Sequence, residues 1–158
     1  MIRKILVAGG ALAMTLAGIG AVAVWAGHED RPGLLPYDHP EAVARGAVLY
    51  AENCASCHGA DLSGQTVPDW RVRDAEGYLP APPHDETGHT WHHPDAVLVA
   101  ITTHGTEALI GGDYRSNMIG FGDVLGEQQI LDVLAYIKST WPARAIEMHN
   151  EINARAGG

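Results

Sequence analysis

The stretch Cys54-Ala55-Ser56-Cys57-His58 contains both cysteines of the chain and places a histidine directly after the second one. Three steps along a helical turn would let both thiols reach the two vinyl groups of one haem, and the next residue would direct its imidazole at the iron from the same side. This spacing is the one used for c-type haem attachment. The sequence therefore predicts one covalent haem c, with thioether links at Cys54 and Cys57 and with His58 as an axial iron ligand.

Two other interpretations of the cysteine pair are a disulfide redox pair and half of a zinc site. A zinc site would need two more thiolates or a paired histidine motif at suitable spacing, and the chain has no third cysteine. A thioredoxin-like pair would follow a strand in a βαβ unit, whereas the segment before Cys54 has the pattern of a helix. Haem attachment remains the favoured interpretation.

Helical patterns flank this motif, and long irregular segments separate them. The first helix is predicted from Asp38 or His39 to Cys54, and the second from Pro94 to about His104, with Gly105 ending it. Residues 59–90 and 105–126 are rich in Gly, Pro or Asp and are predicted to be loops. Such loops are compatible with a compact domain when something other than backbone pairing fills the core.

The last clear helix is predicted over 127–141, because apolar residues recur there at helical spacing, and Pro142 marks its end. Residues 143–158 are predicted to be a charged C-terminal extension. The regular elements predicted from these patterns are all helical. The apolar positions of the last helix are Ile130, Val133, Leu134, Ile137 and Trp141.

Residues 1–27 have the pattern of a targeting segment that forms an apolar helix. Arg3 and Lys4 provide positive charge, and residues 5–26 carry none. The length of the uncharged stretch suits a membrane anchor, while its small residues near Ala26 also suit signal cleavage, so both possibilities stay open. In either case the positive end stays cytoplasmic, and in a bacterium the remainder lies on the periplasmic side. Residues 28–37 are predicted to be a linker.

The charge of the chain excludes one class of partner. Asp and Glu number 19 against 10 Lys and Arg, and the formal net charge is −9. No basic cluster occurs after the first residues, so nucleic acid is not expected as a partner.

From about Asp38 to Trp141 the chain resembles the class I c-type cytochromes, within a bacterial single-haem group. The resemblance implies a small all-α cytochrome c fold, with three to four helices around one covalently bound haem over residues 38–142. It implies that the first and last helices cross, with Gly46 at the close approach and Tyr50 packing on Tyr136. It also implies a proline carbonyl as hydrogen-bond partner of His58, for which we favour Pro82 or Pro83 over Pro68. The matching motifs are Gly46-x-x-x-Tyr50, Cys54 to Gly59, Gly88-His-Thr-Trp-His-His-Pro-Asp95, Met118-Ile-Gly-Phe121 and Val133 to Lys138.

Met118 is the predicted second axial ligand of the iron. A thioether is soft and neutral and favours ferrous iron, which raises the reduction potential relative to a second imidazole. Met118 lies in a glycine-flanked loop before the last helix, where the resembled family has its methionine. Met148 is a remote second choice because it lies beyond Pro142. Ile119 departs from the family, which commonly has proline at that position.

A histidine cluster at and just after the end of the loop 59–90 allows several roles. Its members are expected to form hydrogen bonds and a helix start, to contact the haem edge, or to bind a second metal such as copper or zinc, in that order of preference. No metal beyond the haem iron is predicted, and His104 and His149 are expected to be ordinary polar residues. The cluster is His84, His89, His92 and His93, and the candidate donors to the haem propionates are Trp91, Arg73, Tyr114 and Arg115.

An iron with both axial positions filled by His58 and Met118 has no site for a substrate. The sequence therefore predicts an electron carrier of a periplasmic redox or respiratory chain, not an enzyme, that docks on a basic surface of its redox partner. Three alternatives stay open: a haem subunit of a larger oxidoreductase, a five-coordinate enzyme or sensor with Met118 unused, and a copper-handling haem protein that uses the cluster from His84 to His93.

Overall fold

The computed structural model describes residues 33–157, and the regular structure in that range is helical. This confirms the predicted all-α class. The described residues form six α-helices and one 3₁₀ turn at Thr90–His92. The helices are α1 (Pro40–Asn53), α2 (Ala55–His58), α3 (Asp95–His104), α4 (Thr106–Ile110), α5 (Glu127–Ser139) and α6 (Ala143–Ala156).

Three of these helices, α1, α3 and α5, correspond to the three predicted from sequence. Helix α5 ends at Ser139, two residues before the predicted end at Trp141. The short helices α2 and α4 add to the expected three or four, and α4 lies inside a segment predicted to be a loop. Each of the two stops at a glycine with positive φ, Gly59 at 78° and Gly111 at 72°, a conformation that favours glycine.

Helices α1 and α5 cross closely, as the resemblance implied. A Cβ atom on Gly46 would run into the backbone carbonyl of Asp132, so the two backbones approach as near as they do only because this residue has no side chain. Tyr50 and Tyr136 pack with ring centroids 5.4 Å apart. Arg45 Nε donates to Asp132 Oδ2 at 2.6 Å and fixes the crossing on its outer side.

The core is built on α5. All five apolar positions predicted for the last helix are buried, four of them in α5 and Trp141 just after its end, which confirms the periodicity read from the sequence. Leu35, Tyr50, Leu62, Leu98 and Leu125 come from other parts of the chain and join the same cluster.

Helix α6 is folded onto the domain, although its sequence predicted only a charged extension. His149 is 0% exposed, which corrects the expectation that it is an ordinary polar residue. Its Nε2–H donates to the carbonyl of His93 at 2.9 Å and lies 3.3 Å from Asp95 Oδ1. Asn153 Oδ1 accepts from the backbone N–H of Asp95 at 2.7 Å. Helix α6 therefore holds the segment that leads into α3.

The described end of the predicted linker also attaches to this point. The backbone N–H groups of Leu34 and Leu35 donate to Asp95 Oδ2 at 2.6 and 3.2 Å, and Leu35 is buried. The apolar segment 5–26 lies outside the described residues. Within residues 33–157 no helix has the length and apolar character needed to cross a membrane.

Candidate functional site

The motif from Cys54 to His58 forms a single tight helical turn directly after α1. The N–H of Cys54 donates to the carbonyl of Tyr50, and the N–H of His58 donates to the carbonyl of Cys54, both at 2.9 Å. Tyr50 also donates from its hydroxyl to the carbonyl of Gly59 at 2.8 Å and so closes the far end of the turn. The structure brings together the three residues that the motif predicts to hold haem.

The surroundings of Cys54 do not favour a reactive thiolate. Cys54 is partly buried and Cys57 is exposed. Burial, with a smaller effect from Cys57, raises the pKa of the Cys54 thiol to about 11. Reactive dithiols have the opposite shift, because the thiolate is the nucleophile.

His58 is buried, and a backbone carbonyl fixes its ring. Its side chain is held with Nδ1 at 2.9 Å from the carbonyl oxygen of Pro82, which confirms the preference for Pro82 or Pro83 over Pro68. Since a carbonyl can only accept, Nδ1 carries the proton, and Nε2 keeps the lone pair needed for a metal. Burial lowers the pKa of His58 below its ordinary value, although the bond to Pro82 opposes that effect. The imidazole is thus prepared as a neutral ligand.

His84 stacks on His58, a contact that the sequence analysis missed. The two ring centroids are 4.0 Å apart and the planes differ by 23°. His84 Nδ1 lies 2.8 Å from the hydroxyl of Thr90, and burial lowers the pKa of His84 well below its ordinary value. The position of His84 directly after Pro82 and Pro83 was the only available signal that it would lie near His58.

His89 and His92 have separate aromatic partners, and His93 packs edge-on against His89 with ring centroids 5.2 Å apart. His89 stacks on Trp70 at 4.8 Å, and His92 packs on Trp91 at 3.7 Å. Among residues 33–157 no group of three or more His, Cys, Asp or Glu is arranged to hold a metal ion. The geometry therefore gives no support to the copper-binding or zinc-binding role of the cluster.

Met118 lies on a separate loop that is attached to the start of α4. Its carbonyl accepts from the N–H of Thr106 at 3.1 Å, its own N–H donates to Ser116 Oγ at 3.1 Å, and its neighbour Ile119 bridges to Gly105. The side chain is partly buried. Met118 lines an open cavity of about 400 Å³ together with residues from α4 and from the end of α3.

Three of the four candidate propionate donors share one surface. The guanidinium of Arg73 lies 4.7 Å from the ring centroid of Tyr114, and that of Arg115 lies 5.0 Å from that of Tyr78. Arg73 Nη1 also donates to the carbonyl of Arg115 at 3.3 Å, so the two loops are joined. The fourth candidate, Trp91, makes a 3.4 Å hydrogen bond to the carbonyl of Glu86.

Comparison with known proteins gives one family match and several relatives. The family model described as cytochrome c matches residues 43–141. The protein of Azorhizobium caulinodans named Cbb3-type cytochrome c oxidase subunit FixP is 31% identical over 111 residues, which are 70% of this chain and 32% of that protein. The protein of the same name from Sinorhizobium medicae is 28% identical over 99 residues, 62% of this chain and 30% of the relative. The chain thus spans about a third of the length of these relatives. No solved structure gives a significant match.

Proposed function

Because the chain belongs to the cytochrome c family, it is an electron-transfer haem protein with covalently bound haem c, and we propose which of its residues hold that haem. Cys54 and Cys57 form the thioether links, and His58 and Met118 are the axial ligands of the iron. When bound, the haem iron supplies a one-electron couple.

The observation that carries this proposal is the hydrogen bond between His58 and the carbonyl of Pro82. It fixes the tautomer that leaves Nε2 without a proton, and it increases the basicity of the ring. His58 is only 6% exposed, so the ligand is already shielded from water in the folded chain. The adjoining thiols lie on the same helical turn, which fits attachment of the group at three points.

Met118 is supported as the second ligand by its chemistry and by its tethered backbone. A thioether cannot be protonated in water and coordinates iron as a neutral donor, so it favours the ferrous state. With His58 and Met118 in place, the chain leaves no axial position open to a substrate. We therefore infer a carrier and not an enzyme in its own right.

The covalent haem links are tested by whether haem stays attached to the chain after denaturation. The full chain is expressed with haem-attachment machinery and is denatured with reducing agent before electrophoresis and haem staining. Wild type is expected to keep its haem on the chain, and the double variant C54S/C57S is expected to release it. A colourless wild-type protein under these conditions would refute the assignment.

We propose that the domain over 38–142 functions on the periplasmic side. The support is the charge asymmetry of the apolar segment, which has Arg3 and Lys4 before residues 5–26. That segment acts either as an anchor, with 28–37 as its linker, or as a cleaved signal. Sequencing the N-terminus of the mature protein separates the two forms, since a start near Gly27 excludes the anchor.

The acidic charge of the chain supports a partner with a basic docking surface. At a net charge of −9, the encounter with such a surface is accelerated at low salt and slows as the salt is raised. Stopped-flow rates of electron transfer from a reduced donor, measured over a range of ionic strength, test this. A rate independent of salt would contradict it.

A second candidate function is that of a haem subunit in a larger oxidoreductase. Its support is the similarity to proteins named as oxidase subunits. In that case the haem of this chain should co-migrate with oxidase activity when membranes are solubilised gently and fractionated by size. A carrier should separate from that activity and reduce the oxidase in solution.

A further inference from the structure

The single hydrogen bond to Pro82 does not by itself fix the rotation of the His58 ring. The torsion that turns an imidazole about its Cβ–Cγ bond is broad, and a hydrogen bond tolerates a wide range of angles at a carbonyl oxygen. A second flat ring at 4.0 Å, nearly parallel, is a stronger restraint. If His58 turned out of its plane, its edge would collide with the face of His84.

His84 can act as such a restraint because it is itself fixed at three points. Its backbone N–H donates to the carbonyl of Leu62 at 2.7 Å, and its own carbonyl accepts from Trp141 Nε1 at 2.7 Å. Its ring nitrogen Nδ1 lies 2.8 Å from Thr90 Oγ1, and Thr90 is only 5% exposed. The ring therefore has a defined plane before any contact with His58 is considered.

We propose that His84 is a positioning residue that sets the ring plane of His58, the proposed axial ligand of the haem iron. This inference rests on the proposed function and adds a second restraint to the Pro82 hydrogen bond. The Pro82 carbonyl determines which ring nitrogen of His58 carries the proton and where that N–H points. The stacked ring of His84 determines the plane in which the imidazole lies. The plane matters because the orientation of an axial imidazole above the porphyrin nitrogens determines how the ferric d orbitals split.

The test is the electron paramagnetic resonance spectrum of the ferric full-length holoprotein. H84L removes the flat ring, and H84F keeps a flat ring without its nitrogens. We expect H84L to shift and broaden the g values, because the His58 plane becomes variable. H84F should broaden them much less, because its flat ring remains although the bond to Thr90 is lost. The matched control is H92L, which removes a histidine stacked on Trp91 and should leave the g values unchanged.

Two outcomes would overturn the inference: wild-type g values in H84L, or equal disturbance in H84F and H84L. If H84L yields no holoprotein, T90V decides, since it keeps His84 and removes only the partner of its ring nitrogen. T90V is expected to broaden the spectrum, and a wild-type spectrum in T90V would then overturn the inference. Failure of the proposed function is a separate result, because it would leave the wild-type protein without haem.

Discussion

The two proposed iron ligands are held by segments of very different construction. On the histidine side, residues 58–93 fold back on themselves, with His58 buried against Pro82 and His84 and with further backbone bonds from Gly64 and Gln65. On the methionine side, which comprises residues 105–126, Met118 is only partly buried, and its neighbour Ile119 is 66% exposed. His58 is therefore more completely enclosed by protein than Met118.

The glycines of the two segments differ in how closely other backbone approaches them. A Cβ on Gly64 would lie 2.7 Å from the Ala81 carbonyl oxygen and from the Pro83 nitrogen. A Cβ on Gly111 or Gly112 would meet nothing within 4 Å. Gly105 and Gly120, which lie close to Met118, are packed as tightly as Gly64, because a Cβ on either would lie 2.7 Å from a backbone atom. The open space on the methionine side is at the Gly111-Gly112 pair.

The largest effect is expected from removing His58, the proposed ligand on the histidine side. His58→Ala should abolish the six-coordinate haem protein, because no other imidazole is placed on the turn of Cys54 and Cys57. The measurement is the visible spectrum and the haem content of the purified protein. His92→Ala, the control, should match wild type, and normal low-spin spectra in His58→Ala would exclude His58 as a ligand.

Removing the methionine-side ligand should be milder. Met118→Ala is expected to keep its covalent haem, to lose the far-red sulfur-to-iron absorption band and to bind carbon monoxide rapidly when reduced, because one axial position is now open. Its reduction potential should fall, since a thioether that favours ferrous iron has been lost.

Met148→Ala is the matched control, and it should keep the band and stay inert to carbon monoxide. If the band persists in Met118→Ala and disappears in Met148→Ala, the ligand is Met148. Rapid carbon monoxide binding by wild type would instead favour a five-coordinate sensor or enzyme.

The sequence predicted those parts of the molecule in which a local pattern determines the structure. The attachment turn follows from the spacing of Cys54, Cys57 and His58, and the core face of α5 follows from a regular helical period. The choice of Pro82 or Pro83 came from a resemblance and from the order of residues along the loop.

The features that the sequence did not predict depend on contacts between distant segments. Helix α6 buries His149 and Asn153, and hydrophobic periodicity gives no signal for burial of polar side chains whose partners are Asp95 and the His93 carbonyl. The stacking of His84 on His58 depends on how a proline-rich loop returns to the attachment turn, which residue spacing does not encode. Helix α4 was missed because its few residues lie between glycines.

A third prediction sharpens the contrast between the glycines. Gly64→Ala should destabilise the holoprotein by about 3 kcal/mol, because a residue with a side chain at φ 77° is strained and its Cβ also collides with fixed backbone. Gly112→Ala, at φ 63° but in open space, should cost only about 1 kcal/mol. Urea unfolding followed by haem absorption and by circular dichroism measures both. Equal losses would mean that the backbone packed around Gly64 adds nothing to the cost of a side chain at positive φ.

The smallest effect is expected from lowering the pH, which should destabilise the fold through the contact of His149 with the histidine side. His149 contacts the His93 carbonyl there and faces Asp95 and Lys138, and burial, together with the charge of Lys138, lowers its pKa below the ordinary 6.5. The folded state therefore binds this proton less readily than the unfolded chain. The contribution is complete above pH 6.5 and is lost as the pH falls below that value, by at most about 1.4 kcal/mol per pH unit for one group.

His149→Gln should remove the contribution of His149 to the pH dependence of stability. Its free energy of unfolding should therefore fall less steeply than that of wild type between pH 6.5 and 5. Burial also lowers the pKa values of His89 and His93, so part of the slope should remain. His104→Gln, an exposed position at the end of α3, is the control and should keep the full wild-type slope. If His149→Gln and His104→Gln had the same slope, the contact between α6 and the histidine side would contribute nothing to the acid sensitivity of the domain.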